Sequence, residues 1–307
     1  MLRDIWRVRG LLYTLVRRDL LVRYQSSVLG FLWSFAKPLA LVAIFQFAFG
    51  SVIGLQSATA SVPLSLHLLV GILVWSFFAR SVAEGHWAVL SHANLIKKVR
   101  LPVEVFPTTT VVGNLINFLL GMVVVFPIIL VLLARHGGPD ITWGRLAVQG
   151  GGFVALTALL SLLTLALTLR VSAVNVYYRD VESVSDVLLQ AWFYATPIVY
   201  SVKLVEEKFA KKHFSIWFER LYWLNPMTPI CVAYRRLLLY TPGPPAAAAA
   251  ASADAPLLRE AMLPSGLEVP DGLLAWRLAV AAALTVLLFL FSVWVFRRLA
   301  RSFADEV

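Results

Sequence analysis

Charge is what this sequence has little of. Only 14% of its 307 residues are Asp, Glu, Lys or Arg, while 60% are hydrophobic. A soluble domain of ordinary composition is about a quarter charged. With a mean hydropathy of +0.79, the natural solvent of this chain is a bilayer. Cysteine is nearly absent: Cys231 stands alone, which excludes an intrachain disulfide and any cysteine cluster for a metal. The histidines His67, His86, His92, His136 and His213 are scattered. His86 and His92 are six residues apart, without the H-E-x-x-H spacing that sets two imidazoles on one helix face, so no metal ligands are expected.

Nucleotide and nucleophile signatures are missing too. The dipeptide Gly-Lys does not occur, so there is no G-x-x-x-x-G-K-[ST] loop to cradle phosphates. No G-x-S-x-G, paired catalytic cysteine or G-x-G-x-x-G stands out. The carboxylates Asp180 and Glu182, and Glu206 and Glu207, make no convincing catalytic or metal-binding set, and no acidic residue lies deep in an expected span to carry a proton. We therefore expect no catalytic residue and no cofactor held by this chain. A cleavable signal is not evident either, because the first 24 residues are basic and amphipathic without a continuous apolar core. The first span is expected to be retained.

What is present is a series of long apolar runs. About 20 apolar residues cross a bilayer as a helix. The uncharged stretch 38–79 is long enough for two spans, with Gly54, Gln56, Ser57, Thr59, Ser61 and Pro63 marking the turn between them. We place spans at about 31–54, 64–84, 105–134, 146–169, 186–203 (with Pro197 inside) and 278–296, the last extending back to about 273. Glycines 150–152 fall within the fourth span, where helix packing is their expected use.

The net charge of +10 fits cytoplasmic loops beside anionic lipid better than a nucleic-acid partner. Arg3, Arg7, Arg9, Arg17, Arg18, Arg23, Lys97, Lys98, Arg100, Arg170, Arg179, Arg297, Arg298 and Arg301 all fall on one side of this arrangement, whereas the short loops opposite hold only Arg135 and Arg145. The positive-inside rule makes the first side cytoplasmic and puts both termini there. The expected fold is an all-α integral membrane protein of six transmembrane helices, N-in and C-in.

Three segments outside the spans carry structure. Residues 1–30 place Ile5, Val8, Leu12, Leu15 and Val16 on one helical face opposite Arg3, Arg7 and Arg18. Such a helix lies in the membrane interface. Residues 92–100, inside the cytoplasmic loop that follows the second span, form a short amphipathic helix that groups Leu95, Ile96 and Val99 beside Lys97 and Lys98 and stops before Pro102. The segment 203–272 holds two apolar stretches, about 214–224 and 229–240, expected as re-entrant or interfacial outer helices. The second is interrupted by Arg235 and Arg236, and a low-complexity Pro-Gly and alanine tract follows at about 241–256. Residues 31–202 then carry spans one to five, and 273–307 the sixth span with a cytoplasmic tail.

The ordered runs RRDLLVRYQSSVLGFLWSFAKPL (17–39), NLIKKVRLPVEVFP (94–107), VNVYYRDV (174–181), LLQAWFYATPIVYS (188–201) and LNPMTPICVAYR (224–235), with the terminal VFRRLARSFADEV, resemble ABC-2-type exporter permeases. In particular they are similar to those that export lipid-linked polysaccharides, O-antigen and teichoic acid. The tract near 241–270 departs from that pattern as an insertion.

The resemblance implies a bacterial inner-membrane permease that pairs with a second copy of itself and with two copies of a separate ATPase subunit, which would use ATP and Mg2+. It implies that Asn94, Leu95, Ile96, Lys97 and Lys98 form a coupling helix to the ATPase, Leu95 and Ile96 docking into an apolar groove. Arg17, Arg18 and Arg23 would receive the pyrophosphate headgroup of a lipid-linked glycan. Sugars stack on aromatic faces, so Trp33, Phe35, Trp75, Phe78, Trp192 and Tyr194, with Phe77 and Phe193, are candidate linings of a glycan channel; the alternative for each is an interfacial belt or lipid-facing bulk. Lys37 is expected to snorkel from the cytoplasmic end of the first span, and Arg80 to pair with Glu84 one turn on. The alternatives in function are an ABC-2 permease for a small molecule or drug, an integral-membrane glycosyltransferase and an ion-coupled transporter.

Overall fold

A computed structural model describes residues 2–25, 33–52, 64–99, 101–135, 143–178, 180–200, 202, 205, 216–239 and 271–303. The expected turn at 54–63, the tract at 241–256, Arg100, Arg179, Glu206, Glu207 and the side chain of Phe35 lie outside the described residues. Among the described residues there is no strand. A helix satisfies every backbone group within its own segment, which is what an apolar solvent demands.

In chain order the helices are α1 (Leu2–Arg7), α2 (Arg9–Gln25), α3 (Trp33–Phe45), α4 (Leu64–Gly85), α5 (Ala93–Lys98) and α6 (Val105–Arg135). They continue with α7 (Trp143–Asn175), α8 (Val181–Ala195), α9 (Ile216–Leu224), α10 (Met227–Leu239) and α11 (Asp271–Leu299). Among the described residues, four stretches are long and apolar enough to cross a membrane: Leu64–Gly85, Val105–Ile129, Ala147–Tyr177 and Gly272–Leu299. The 22 residues of α4 rise about 33 Å at 1.5 Å each, which matches a hydrocarbon core of about 30 Å.

The expected first and fifth spans take less regular forms. α3 is 13 residues long and runs into a seven-residue π-helical segment, Gln46–Val52. α8 begins at Val181 and stops at Ala195, because Thr196 is extended (φ −102°, ψ 140°). The next residue is Pro197, whose ring disfavours helical backbone in its predecessor. The helix therefore starts five residues before the expected Asp186 and ends before the proline rather than running through it.

α4 is the hub. Its side chains from Leu66 to Phe78 are mostly buried, packed with α6, α7 and α10 in one core. Two close approaches require glycine. A Cβ on Gly71 would lie 2.7 Å from Arg235 Nη2 and 3.2 Å from the Ile198 carbonyl, and one on Gly85 would collide with the Thr168 methyl of α7. Of the three consecutive glycines in α7, Gly152 meets Leu237 of α10, while Gly150 and Gly151 meet no neighbour among the described residues.

α7 and α11 run side by side with their C-terminal ends together. Phe296 packs on Leu169, Ala173 and Val176, and the Tyr177 hydroxyl donates to the Leu299 carbonyl at 2.9 Å. The same end collects the C-terminus of α4, the N-terminus of α6, α5 and α2, since Leu15 clusters with Ala88, Val105 and Phe106. The expected apolar face of the N-terminal segment is thus turned onto protein: Leu15 and Val16 are buried, and Ile5, Val8 and Leu12 pack against that cluster.

Candidate functional site at the basic end of the bundle

The end that gathers α2, α5 and the termini of α4, α6, α7 and α11 is also where the cations concentrate. Glu84 organises it. Its Oε2 accepts from Arg23 Nη2 of α2 at 2.7 Å and from Asn114 Nδ2 of α6 at 2.8 Å, while Oε1 accepts from Arg80 Nε at 2.8 Å. Arg23 Nη1 also reaches Asn114 Oδ1 at 2.9 Å. One carboxylate thereby joins three helices. The expected Arg80–Glu84 pairing is present, four residues apart on α4.

Beside this cluster lies an open cavity of about 550 Å³, where Arg18, Asp19, Arg23, Glu84, Ser91, His92, Thr109 and Thr110 alternate with Leu20, Val22, Trp87, Ala88 and Gly113, contributed by α2, α6, the end of α4 and the turns that follow it. Arg18 holds Asp19 Oδ1 at 3.0 Å through Nη2, and the same nitrogen lies 2.9 Å from His92 Nε2. An arginine only donates. Nε2 must therefore be the acceptor and Nδ1 the protonated nitrogen, which meets the Ala88 carbonyl at 3.0 Å. The His92 ring stacks on Phe106, with centroids 4.5 Å apart. Of the three arginines expected to receive a headgroup, Arg18 and Arg23 line the cavity; Arg17 is exposed on α2 and does not.

α5 is a six-residue helix entered through a 3-10 turn, Leu90–His92. It ends at Val99, whose backbone is extended. Asn94, Lys97 and Lys98 face outward. Leu95 and Ile96 are half-buried and pack on the Leu15, Val105 and Phe106 cluster, with Ile96 also against the α7–α11 cluster. The apolar side of α5 thus anchors the helix to its own chain and leaves the polar side outward.

The aromatic residues separate into two kinds. Trp75 and Phe78 are interior and form a ring cluster with Trp192 and Phe193: Phe78 lies 5.2 Å from Trp192, Trp75 lies 5.7 Å from Phe193, and Phe45 stacks on Phe193 at 6.0 Å. Phe77 is buried against Phe118 instead. Trp33 and Tyr194 are exposed. Trp192 also lines a second cavity of about 580 Å³, walled mainly by apolar side chains of α4, α7, α8 and α9 such as Val82, Leu167, Leu188 and Leu221. Lys37 is exposed on α3.

Sequence reasoning gave Glu84 only Arg80 as a partner, missing its bond to Arg23, and assigned no role to Asn225 or Arg235. Glu84 is the lone carboxylate between Asp19 and Glu104, a signal that a charge partner for Arg23 had few other places to be. Asn225 accepts from Trp192 Nε1 at 2.8 Å and from the Met227 amide at 3.0 Å, and donates to Thr196 Oγ1 at 3.1 Å, so it fixes the α9–α10 turn to the end of α8. Arg235 is fully buried and donates to the carbonyls of Ile198 (2.6 Å) and His67 (3.3 Å). Among the described residues no group of three or more His, Cys, Asp or Glu is arranged to hold a metal.

The profile of a membrane-protein family described as ABC-2 type transporter matches residues 10–239. The chain is 33% identical over 237 residues to the O-antigen export system permease protein RfbA of Myxococcus xanthus, covering 77% of this chain and 83% of that one. It is 30% identical over 230 residues to a protein of the same name from Klebsiella pneumoniae, covering 75% and 80%.

Proposed function

The chain belongs to the ABC-2 type transporter family, and on that premise we propose that it is the membrane-spanning permease subunit of an ATP-driven exporter of a lipid-linked cell-surface polysaccharide. Relatives named as O-antigen export permeases support a polysaccharide cargo. One observation carries the reading: interface-helix arginines, the cavity they line and outward lysines of a short helix occupy the same end of the bundle, although they come from residues 18–23, 84–92, 94–98 and 109–113.

In this reading six spans cross the bacterial inner membrane with both termini in the cytoplasm. α3 with its π-helical extension is the first and α8 with its following turn the fifth. Support for the fifth comes from its course along α4: Glu182 accepts from Trp87, while Ile198 lies at Gly71, a climb of about 20 Å at helical rise. α9 and α10 form a re-entrant pair. Their turn is held at Asn225 by Trp192, and α10 meets α7 near its outer end, where Gln149 Nε2 donates to the Leu237 carbonyl at 3.0 Å.

The permease works as a homodimer with two ATPase subunits. Each ATPase docks on the outward Asn94, Lys97 and Lys98 face of α5, and ATP-driven closure moves α5. Because Leu95 and Ile96 anchor α5 to α2, α6 and the α7–α11 cluster, that movement reaches the helices around the cavity. Arg18 and Arg23 receive the pyrophosphate there, since guanidinium groups match phosphate oxygens in geometry and charge. The exposed Trp33 and Tyr194 are the predicted channel aromatics available for glycan stacking in this arrangement.

The experiment is depletion of the chain in its native cell. Lipid-linked glycan should accumulate on the cytoplasmic face while the surface polymer disappears, and re-expression should reverse both. Surface polymer that persists at normal amount would contradict the proposal.

A further inference from the structure

The outer face of α11 carries a ladder that the export reading does not use. Arg170 of α7 lays its guanidinium over the Phe291 ring, Cζ 4.8 Å from the centroid. Phe291 stacks on Trp294 at 5.9 Å with 20° between the planes. Arg298 then folds back over Trp294, Cζ 5.5 Å from the centroid. Both rings are more than half exposed, as are Leu287 and Leu290 beside them. This face therefore looks away from the bundle.

Among the described residues no carboxylate neutralises Arg170 or Arg298, and Arg170 Nε and Nη2 are buried with no hydrogen-bond partner. Arg297 differs, because its Nε is bonded to Glu104 at 2.9 Å. Arg170 lies five residues before the end of α7, about 7.5 Å below it. That is within reach of a lipid headgroup for a long side chain that keeps its stem in the apolar layer. A ring face compensates a guanidinium only in part, and the flanking apolar surface suits an acyl chain.

We propose that Arg170, Phe291, Trp294 and Arg298 form a seat for one anionic phospholipid of the phosphatidylglycerol class, in the leaflet at the C-terminal ends of α7 and α11. The phosphodiester takes the exposed guanidinium donors of Arg298 beside the positive charge of Arg170, and an acyl chain lies along Leu287 and Leu290. Charge complementarity selects the occupant: the face offers two cations that no carboxylate of the described residues pairs, in a solvent whose abundant anion is a lipid phosphate.

The test uses the full chain in neutral detergent, titrated with phosphatidylglycerol or with phosphatidylcholine of the same acyl chains. Retained lipid is read by native mass spectrometry and melting temperature in parallel. Phosphatidylglycerol should bind about tenfold more tightly, because phosphatidylcholine carries the same phosphodiester but its ammonium cancels the net charge that the two arginines complement. Arg298→Gln, an exposed change at the helix end, should remove most of that preference, as should Arg170→Gln. Arg7→Gln, on α1, should leave it intact. Equal binding of the two lipids, or a preference that survives Arg298→Gln, would overturn the proposal and leave the face to ordinary lipid contact or to a second copy of the chain.

Discussion

Arg23 Nη2 sits 2.7 Å from Glu84 Oε2, and this contact ties the N-terminal helix α2 to the end of the central helix α4. Both side chains are roughly one-quarter to one-third exposed, so the pair lies between a surface bridge, worth under about 1 kcal/mol, and a buried one. Glu84 keeps Arg80 and Asn114 when Arg23 is lost. Arg23→Gln should therefore cost roughly 1 kcal/mol and Glu84→Gln more. Melting of the two single variants and the double variant should show non-additive losses, since both share one network. Strict additivity would mean that the contact carries no coupling.

Gly71 and Arg235 form a second pair whose coupling is measurable. Gly71→Ala places a methyl 2.7 Å from Arg235 Nη2, and such overpacking costs about 1–3 kcal/mol. The flexible end of the arginine can yield, but the Ile198 carbonyl at 3.2 Å cannot do so as easily. In an Arg235→Met background, Gly71→Ala should be milder by about 1 kcal/mol. Thermal unfolding in detergent checks this, and an unchanged cost in both backgrounds would count against the close approach.

Lys98 and Cys231 together report orientation. Cys231 is the only cysteine and is fully buried, so an impermeant maleimide should leave the native chain unlabelled and modify it fully after denaturation. The variant Lys98→Cys should then label in inverted vesicles and resist labelling in right-side-out ones. The opposite pattern would reverse the orientation proposed for all six spans.

The two faces of α5 should respond differently to substitution. Leu95→Ala and Ile96→Ala, half-buried against the Leu15 and Phe106 cluster, should each lower stability by about 1–2 kcal/mol. Lys97→Glu with Lys98→Glu, on the exposed side, should leave melting unchanged and reduce capture of the ATPase at least tenfold. If the lysine variant binds ATPase normally, the outward face of α5 is not the contact.

Much of the architecture was legible because bilayer-spanning helices need long uncharged runs, and runs such as 64–79 and 105–134 cannot be anything shorter. The resemblance in the ordered motifs pointed to the family that the 10–239 match supplies. The break at Thr196 was readable from Pro197, yet hydropathy alone carried the expected span through it.

Less legible were features made by residues distant in sequence. Glu84 meets Arg23 across 61 positions and Arg235 meets the His67 carbonyl across 168. No local periodicity encodes such meetings. The inward turn of Leu95 and Ile96 was hidden for a related reason: amphipathicity shows that a helix has an apolar side, and only packing shows that the cover is the chain's own α2 and α6.

The most direct measurement is ATP hydrolysis by the chain co-purified with an ATPase subunit from its native cell, in lipid vesicles, with and without lipid-linked glycan. A stable complex whose hydrolysis changes on adding glycan, and loses that response in the double variant Arg18→Gln, Arg23→Gln while still hydrolysing ATP, is the predicted result. A chain that associates with no ATPase, or a complex indifferent to the glycan, would contradict the exporter account.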